Sequence, residues 1–143
     1  LVQFRLIEAY PELVEKFGLT EDKRLYEIIR INKIIDKNES LDYTYVPASY
    51  VGNLTLSMEC LQSNYIHEFL RTQANLHPRY MKVFINTPRY SFLYQNEALL
   101  SSGSDDMITW TTDIYDAGLT LLATTITTYP HDALDLPLFT FSI

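Results

Sequence analysis

Residues 107–130 read MITWTTDIYDAGLTLLATTITTYP, and this stretch decides the fold class. Ile108, Trp110 and Ile114 are spaced to share one face of a strand. The tetrad 115–118 has the composition of a tight turn, and residues 119–129 return as a long strand rich in threonine, a residue that favours sheets. The pattern predicts an antiparallel hairpin.

Shorter segments on both sides of this stretch also alternate between apolar and polar residues with a period of two. This period indicates strands with one buried face. The segments predicted as strands are 42–46, 54–58, 80–85, 90–94 and, at the end of the chain, 139–143.

The first 40 residues have a different pattern and predict helices. Pro11 fits the first turn of a helix that runs to Phe17, and Gly18 supplies a left-handed stop. Thr20 is a suitable N-cap for a second helix over about 20–37, because an apolar stripe follows at helical spacing. Its members are Leu25, Ile28, Ile29, Ile31 and Ile35. A further short helix is predicted near 63–74.

Together these elements predict an α+β fold, in which N-terminal helices and one inner helix pack on a bent, mainly antiparallel sheet of about six strands. We expect one domain over 1–143, with a helical segment 1–40 and a strand-rich segment 41–143. The element order is similar to that of the cone-shaped fold of nuclear transport factor and scytalone dehydratase.

Charge is distributed unevenly. No Lys or Arg follows Arg89, so residues 90–143 hold seven acids and no base, whereas residues 1–89 hold 11 of each; the net charge is −7. The acidic balance opposes binding to nucleic-acid phosphates, and no apolar run approaches the roughly 20 residues of a membrane span. The sequence therefore predicts a soluble protein without nucleic-acid partners or membrane insertion. The lone Cys60 favours a reducing compartment.

Few residues suggest chemistry. His67, in the predicted inner helix, is a weak candidate for a catalytic base facing a pocket. His131, Asp132 and Asp135 share one loop and are weak candidates for metal ligands, but they lack any recognised ligand spacing. Cys60 is read as a core residue. No phosphate loop or nucleophile motif occurs, so no cofactor is predicted and a non-enzymatic protein is favoured.

Sheet edges are usually protected by Lys, Pro or bulges, and the strand-rich C-terminal region has no Lys or Arg. The main hypothesis is therefore an assembly subunit, such as a viral or phage structural component, that self-associates or binds a protein partner. The residues assigned to that interface are Asp105, Asp106, Asp116, Phe139 and Phe141. One alternative is a small-molecule enzyme or binder with a cone-shaped pocket lined by tyrosines and His67. Another is an acidic inhibitor or immunity-type protein that docks on a basic partner.

Overall fold

Six strands form one antiparallel sheet in the computed structural model, which describes residues 3–35, 38–51, 68, 70–71, 74–85 and 107–130. The strands are β1 (Gln3–Glu8), β2 (Arg24–Ile35), β3 (Asn38–Pro47), β4 (Tyr80–Phe84), β5 (Met107–Tyr115) and β6 (Leu121–Pro130). Their order across the sheet is β1-β2-β3-β6-β5-β4. Helix α1 (Pro11–Phe17) joins β1 to β2, and the single turn α2 (Ala48–Val51) follows β3. The predicted α+β class with a six-stranded antiparallel sheet is confirmed.

The predicted helix over 20–37 is wrong, because β2 is a strand of 12 residues. Leu25 and Ile29 lie on one face of the sheet and Ile28 lies on the other, and all three are almost fully buried. A strand that is buried on both faces has apolar residues at successive positions and so lacks the alternation of apolar and polar residues. Its apolar residues can then fall at helical spacing by coincidence. The abundance of β-branched isoleucine was the better indicator.

The opening residues are also strand and not helix, since β1 pairs with β2 from Gln3↔Ile29 to Glu8↔Arg24. The chain therefore does not begin with helices, which removes the element order on which the similarity to the cone-shaped fold rested. The helix Pro11–Phe17 forms as predicted. Tertiary pairing with β2 overrides the weak local preference of residues 3–8.

Gly18 ends α1 in the left-handed conformation, with φ of 66° and ψ of 37°. Its N–H donates to the carbonyl of Glu15, and the next N–H, of Leu19, donates to the carbonyl of Val14. This is the double hydrogen bond of a Schellman motif, which satisfies the last carbonyls of a helix and turns the chain back. The turn lays α1 on the sheet, where Leu13 and Phe17 are buried.

The sheet is covered on both faces. On the α1 face, the helix packs on a core that includes Leu25, Ile29, Tyr43 and Ile126. On the opposite face, a second core forms around Ile28, Val46, Leu70, Ile114, Leu122 and Ala123, with Tyr50 and Val51 of the α2 turn against it. These two layers bury most of the apolar side chains of β2 and β3.

A polar row crosses the whole sheet beneath α1. Direct cross-strand partners form it in the order Arg5, Glu27, Tyr45, Thr124, Asp113 and Lys82. We call this set the buried row, because Glu27 is 2% and Asp113 is 4% exposed.

Both carboxylates of the buried row have several partners. Arg5 Nε donates to Glu27 Oε1 at 2.7 Å, and the Tyr45 hydroxyl donates to Glu27 Oε2 at 2.9 Å. Asp113 Oδ1 accepts from Thr124 Oγ1 at 2.6 Å and lies 2.8 Å from Lys16 Nζ of α1. Since a buried carboxylate is stable only when it is compensated, these contacts fix the strand register and the position of α1.

Of the remaining predicted elements, strands 42–46 and 80–85 and the hairpin of 107–130 are confirmed as β3, β4, β5 and β6. The predicted strands 54–58, 90–94 and 139–143 lie outside the described residues. Of the predicted inner helix, Glu68, Leu70 and Arg71 are described and helical. No helix in the described ranges is long and apolar enough to cross a membrane.

We predict that Gly18→Ala lowers the free energy of unfolding by about 1 kcal/mol, because alanine is strained at positive φ. An added Cβ would meet nothing within 4 Å, so the loss is a backbone effect. Gly118→Ala is the matched control: its φ is not positive and its Cβ would be at an ordinary 3.5 Å from Asp116 Oδ1. Urea denaturation should show a loss for Gly18 alone, and equal losses would contradict a backbone effect at residue 18.

We also predict a loss of stability in alkali. Burial, reinforced by the negative charge of Glu27, raises the pKa of Tyr45 in the folded state. Above pH of about 10 the unfolded chain loses this proton while the folded chain keeps it, so stability present at lower pH declines by about 1.4 kcal/mol per pH unit.

The measurement is urea denaturation of the wild type and Tyr45→Phe between pH 8 and 11. At pH 8 the variant should be the less stable by about 1.5–3 kcal/mol, because it lacks the hydrogen bond to the Glu27 carboxylate. That difference should shrink as the pH rises. A difference that does not depend on pH would refute the assignment to Tyr45.

Candidate functional site

A second polar row lies on the opposite face of the sheet, over strands β2, β3, β6 and β5. Arg30 is the cross-strand partner of Asp42, Asp42 of Thr127, and Thr127 of Trp110. Directly opposed residues in antiparallel strands have Cβ atoms about 5 Å apart, so these side chains are immediate neighbours. We call this set the Arg30 row.

The charged members of the Arg30 row are half-buried and interact. Thr127 Oγ1 donates a hydrogen bond of 2.8 Å to Asp42 Oδ1. Burial lowers the pKa of Arg30, and the negative charge of Asp42 opposes that shift. A guanidinium stays protonated at any physiological pH, so the row presents a partly desolvated cation beside an oriented carboxylate.

The next row along the strands is uncharged but still polar. Thr44 and Thr125 are cross-strand partners, and their hydroxyl oxygens lie 2.9 Å apart. Thr112 is the neighbour of Thr125 on β5. One step further, the face becomes the apolar core of Val46, Ala123 and Ile114. Apolar side chains therefore border the polar area on one side.

The Arg30 row combines three kinds of recognition. A guanidinium binds phosphate or carboxylate oxygens with two parallel hydrogen bonds. The Asp42 carboxylate accepts hydrogen bonds from ligand hydroxyl or amine groups, and threonine hydroxyls both accept and donate them. The half-buried indole of Trp110 has a flat apolar ring. A few convergent polar groups beside apolar side chains are typical of small-molecule sites.

Most residues that we assigned to sites from the sequence lie outside the described ranges. These are His67, His131, Asp132, Asp135, Asp105, Asp106, Phe139 and Phe141. Asp116 is described, and it belongs to the hairpin turn, where its Oδ1 accepts the N–H of Thr120 at 2.9 Å. Within the described part of the chain, no three His, Cys, Asp or Glu side chains are arranged to hold a metal ion.

The Arg30 row was not predicted from the sequence, for a specific reason. Arg30 lies in β2, and reading that segment as a helix placed it on a surface unrelated to Asp42. The signal available was the alternation in β3, where Asp42 and Thr44 face one side while Tyr43 and Tyr45 face the other. Both tyrosines are buried in the α1-face core and so line no pocket on the face of Arg30.

One known family matches almost the whole chain. The model of the UTRA domain matches residues 1–135. The chain belongs to the UTRA domain family. No curated protein is significantly similar to it in sequence.

Solved structures of low sequence identity share the fold of this UTRA domain. The C-terminal domain of Yurk from Bacillus subtilis subsp. subtilis str. 168 has a TM-score of 0.74 at 13% identity, covering 92% of this chain and 88% of that chain. A GntR-family transcriptional regulator from Enterococcus faecalis V583 has a TM-score of 0.72 at 15% identity, with coverages of 99% and 96%. The effector binding domain of the B. subtilis trehalose repressor TreR has a TM-score of 0.69 at 23% identity, with coverages of 99% and 94%.

These findings correct the main functional hypothesis. An assembly subunit or viral structural component is wrong, because the chain belongs to the UTRA family and the structures that share its fold include a GntR-family transcriptional regulator and the effector binding domain of the repressor TreR. The prediction that excluded nucleic-acid partners is not supported for the same reason. Of the alternatives, the small-molecule binder agrees best with the UTRA family, and the comparisons give the acidic inhibitor no support.

The strand order shows why unprotected sheet edges were wrongly expected. Strands β5 and β6, which lack Lys and Arg, lie inside the sheet between β3 and β4 and have neighbours on both sides. The outer strands of the described sheet are β1 and β4, and each has a basic residue, Arg5 and Lys82. A basic residue is therefore present on each of the two outer strands, which are the ones that require protection against edge-to-edge pairing.

We predict that Thr127→Val lowers the free energy of unfolding by about 1.5–3 kcal/mol, because a buried hydrogen bond to a charged acceptor is lost. Thr125→Val on the same strand and face removes only a hydroxyl pair, so its cost should be about 0.5–1.5 kcal/mol. Thr127→Ser keeps the hydroxyl and should recover most of the loss. Urea denaturation measures all three, and equal costs at 125 and 127 would show that Asp42 does not depend on Thr127.

Proposed function

We propose that this UTRA domain binds a small polar effector over the Arg30 row and serves as the sensing domain of a transcriptional regulator. The observation that supports the site is the cross-strand alignment of Arg30, Asp42, Thr127 and Trp110 on one face. The regulatory role rests on the family match over residues 1–135 and on neighbours such as the effector binding domain of TreR.

The choice of face follows from packing. On the α1 face, the helix covers the middle of the sheet, and the polar groups there satisfy one another within the buried row. On the opposite face, Arg30, Asp42, Trp110, Thr112 and Thr125 are only half-buried. A ligand that contacts them completes their desolvation and adds charged hydrogen bonds, which are the stronger kind.

The composition of the row defines an effector class. An anionic group, phosphate or carboxylate, matches Arg30, while hydroxyl or amine groups match Asp42 and the threonines. Trp110 suits a ring or an alkyl segment lying flat on the indole. The preferred ligand is therefore a small, polyhydroxylated or amino-substituted anion.

The test measures the binding of three groups of compounds, which are phosphorylated sugars, the same sugars without the phosphate, and small dicarboxylates. Thermal denaturation should single out anionic members, because a ligand that binds only the folded state raises the melting temperature. Titration calorimetry of the best compound should then show binding about tenfold or more weaker for Arg30→Met, which removes the charge but keeps the length. Asp42→Asn should weaken binding of the hydroxylated compounds most.

Arg24→Met is the matched control, since Arg24 lies on the same strand but is exposed and paired with Asp22 at 2.9 Å. The effector affinity should be unchanged by this substitution, because exposed ion pairs contribute little. If no anionic compound binds, or if Arg24→Met weakens binding as much as Arg30→Met, the proposed site is wrong.

A further inference from the structure

Basic residues concentrate in one segment of this acidic chain. Residues 69–96 contain no Asp or Glu, yet they contain Arg71, Arg79, Lys82 and Arg89 together with His77. A local basic cluster in a protein of net charge −7 stands out from its surroundings and attracts anions.

Two adjoining clefts bring part of that cluster together. The first, of about 320 Å³, is lined by Arg71, Pro78, Arg79, Tyr80, Met81 and Ile114. The second, of about 470 Å³, shares Arg71, Pro78 and Arg79 and adds His77 with the hairpin turn 116–118. Both arginines thus line both clefts, although they come from different segments of the chain.

The backbone around the clefts is fixed by hydrogen bonds. The Arg79 N–H donates to the carbonyl of Tyr115 on β5 at 2.7 Å, which ties residue 79 to the sheet. The Leu76 N–H donates to the carbonyl of Leu70 at 2.9 Å, and Leu70 is fully buried in the opposite-face core. The position of each arginine Cα is therefore set before a ligand arrives, which lowers the entropy cost of binding.

The charge balance at the clefts is positive. Asp116 is the one acid among the described residues that line them, and its Oδ1 already accepts a hydrogen bond from the Thr120 N–H. Lys82 belongs to the other face, where its Nζ lies 5.0 Å from the centre of the Tyr115 ring. The clefts therefore offer two guanidinium groups and an imidazole against one occupied carboxylate.

We propose that these clefts form a second anion site, in which Arg71 and Arg79 bind the oxyanion group of a small organic molecule. Two guanidinium groups suit a phosphate or carboxylate, and both donate bidentate hydrogen bonds. Pro78, Tyr80, Met81 and Ile114 supply an apolar wall for the body of the ligand. The imidazole of His77 adds a further N–H donor.

This site is distinct from the Arg30 row. Ile114 of the first cleft and Trp110 of the row lie four residues apart on β5, which corresponds to about 13 Å along a strand. The row of Thr112, Thr125 and Thr44 lies between them. The second site does not rest on the proposed effector function.

The experiment is titration calorimetry of the full chain with phenyl phosphate and, separately, with inorganic phosphate, at low ionic strength. We expect phenyl phosphate to bind more tightly by about tenfold, because its ring covers the apolar wall. Arg71→Met/Arg79→Met should weaken phenyl phosphate binding by about tenfold or more, while Arg71→Lys/Arg79→Lys should retain part of it through charge alone. Circular dichroism checks that both double variants are folded.

Two further variants separate binding at the clefts from binding elsewhere on the domain. Arg24→Met, at an exposed arginine outside the clefts, should leave binding unchanged. Arg30→Met removes any binding of the anion at the Arg30 row, and the loss caused by Arg71→Met/Arg79→Met should persist in that background, so failure of the effector proposal and failure of this one are distinguishable. The inference is overturned if phenyl phosphate does not bind, if the Arg71/Arg79 variants bind it as the wild type does, or if Arg30→Met abolishes binding, which would assign the anion to the Arg30 row.

Discussion

The compensation of two buried carboxylates underlies the whole arrangement. Glu27 and Asp113 lie under α1 near opposite ends of a row that crosses all six described strands, and each is held by a cation and a hydroxyl. A slip of β1, β2, β3, β5 or β6 by one residue would separate a buried charge from a partner, and a buried charge without its partner costs several kcal/mol. The buried row thus specifies register as well as stability, and Lys16 extends this specification to α1.

The strand register that pairs residues on the α1 face also determines which residues are neighbours on the opposite face. Successive residues of a strand point to opposite faces. The pairing that places Glu27 beside Tyr45 therefore also places Arg30 beside Asp42, and the pairing of Tyr45 with Thr124 places Asp42 beside Thr127. The α1 face provides the fixed framework, and the opposite face presents half-buried polar groups in a defined order. A preorganised set of this kind is what a selective small-molecule site requires.

Part of this could be predicted from the sequence. The hairpin of 107–130, the strand at 42–46, the helix Pro11–Phe17 and the left-handed Gly18 all follow from local pattern, because in each case the local preference agrees with the final fold. The segment 24–35 could not be assigned in the same way, since burial on both faces removes the alternation that identifies a strand. The Arg30 row could not be predicted either, because Arg30 and Thr127 are 97 residues apart in sequence and only the strand order brings them together.

The alternation of faces along β6 affects how the sequences of such domains can diverge. Thr124 and Ile126 face the α1 core, whereas Thr125 and Thr127, between and beside them, face the side of the Arg30 row. Adjacent positions on one strand are therefore under separate constraints, and the chemistry of the Arg30 face can change by single substitutions that leave the pairing intact. Lineages can then drift far apart in sequence while the sheet persists, which agrees with a TM-score of 0.74 at only 13% identity.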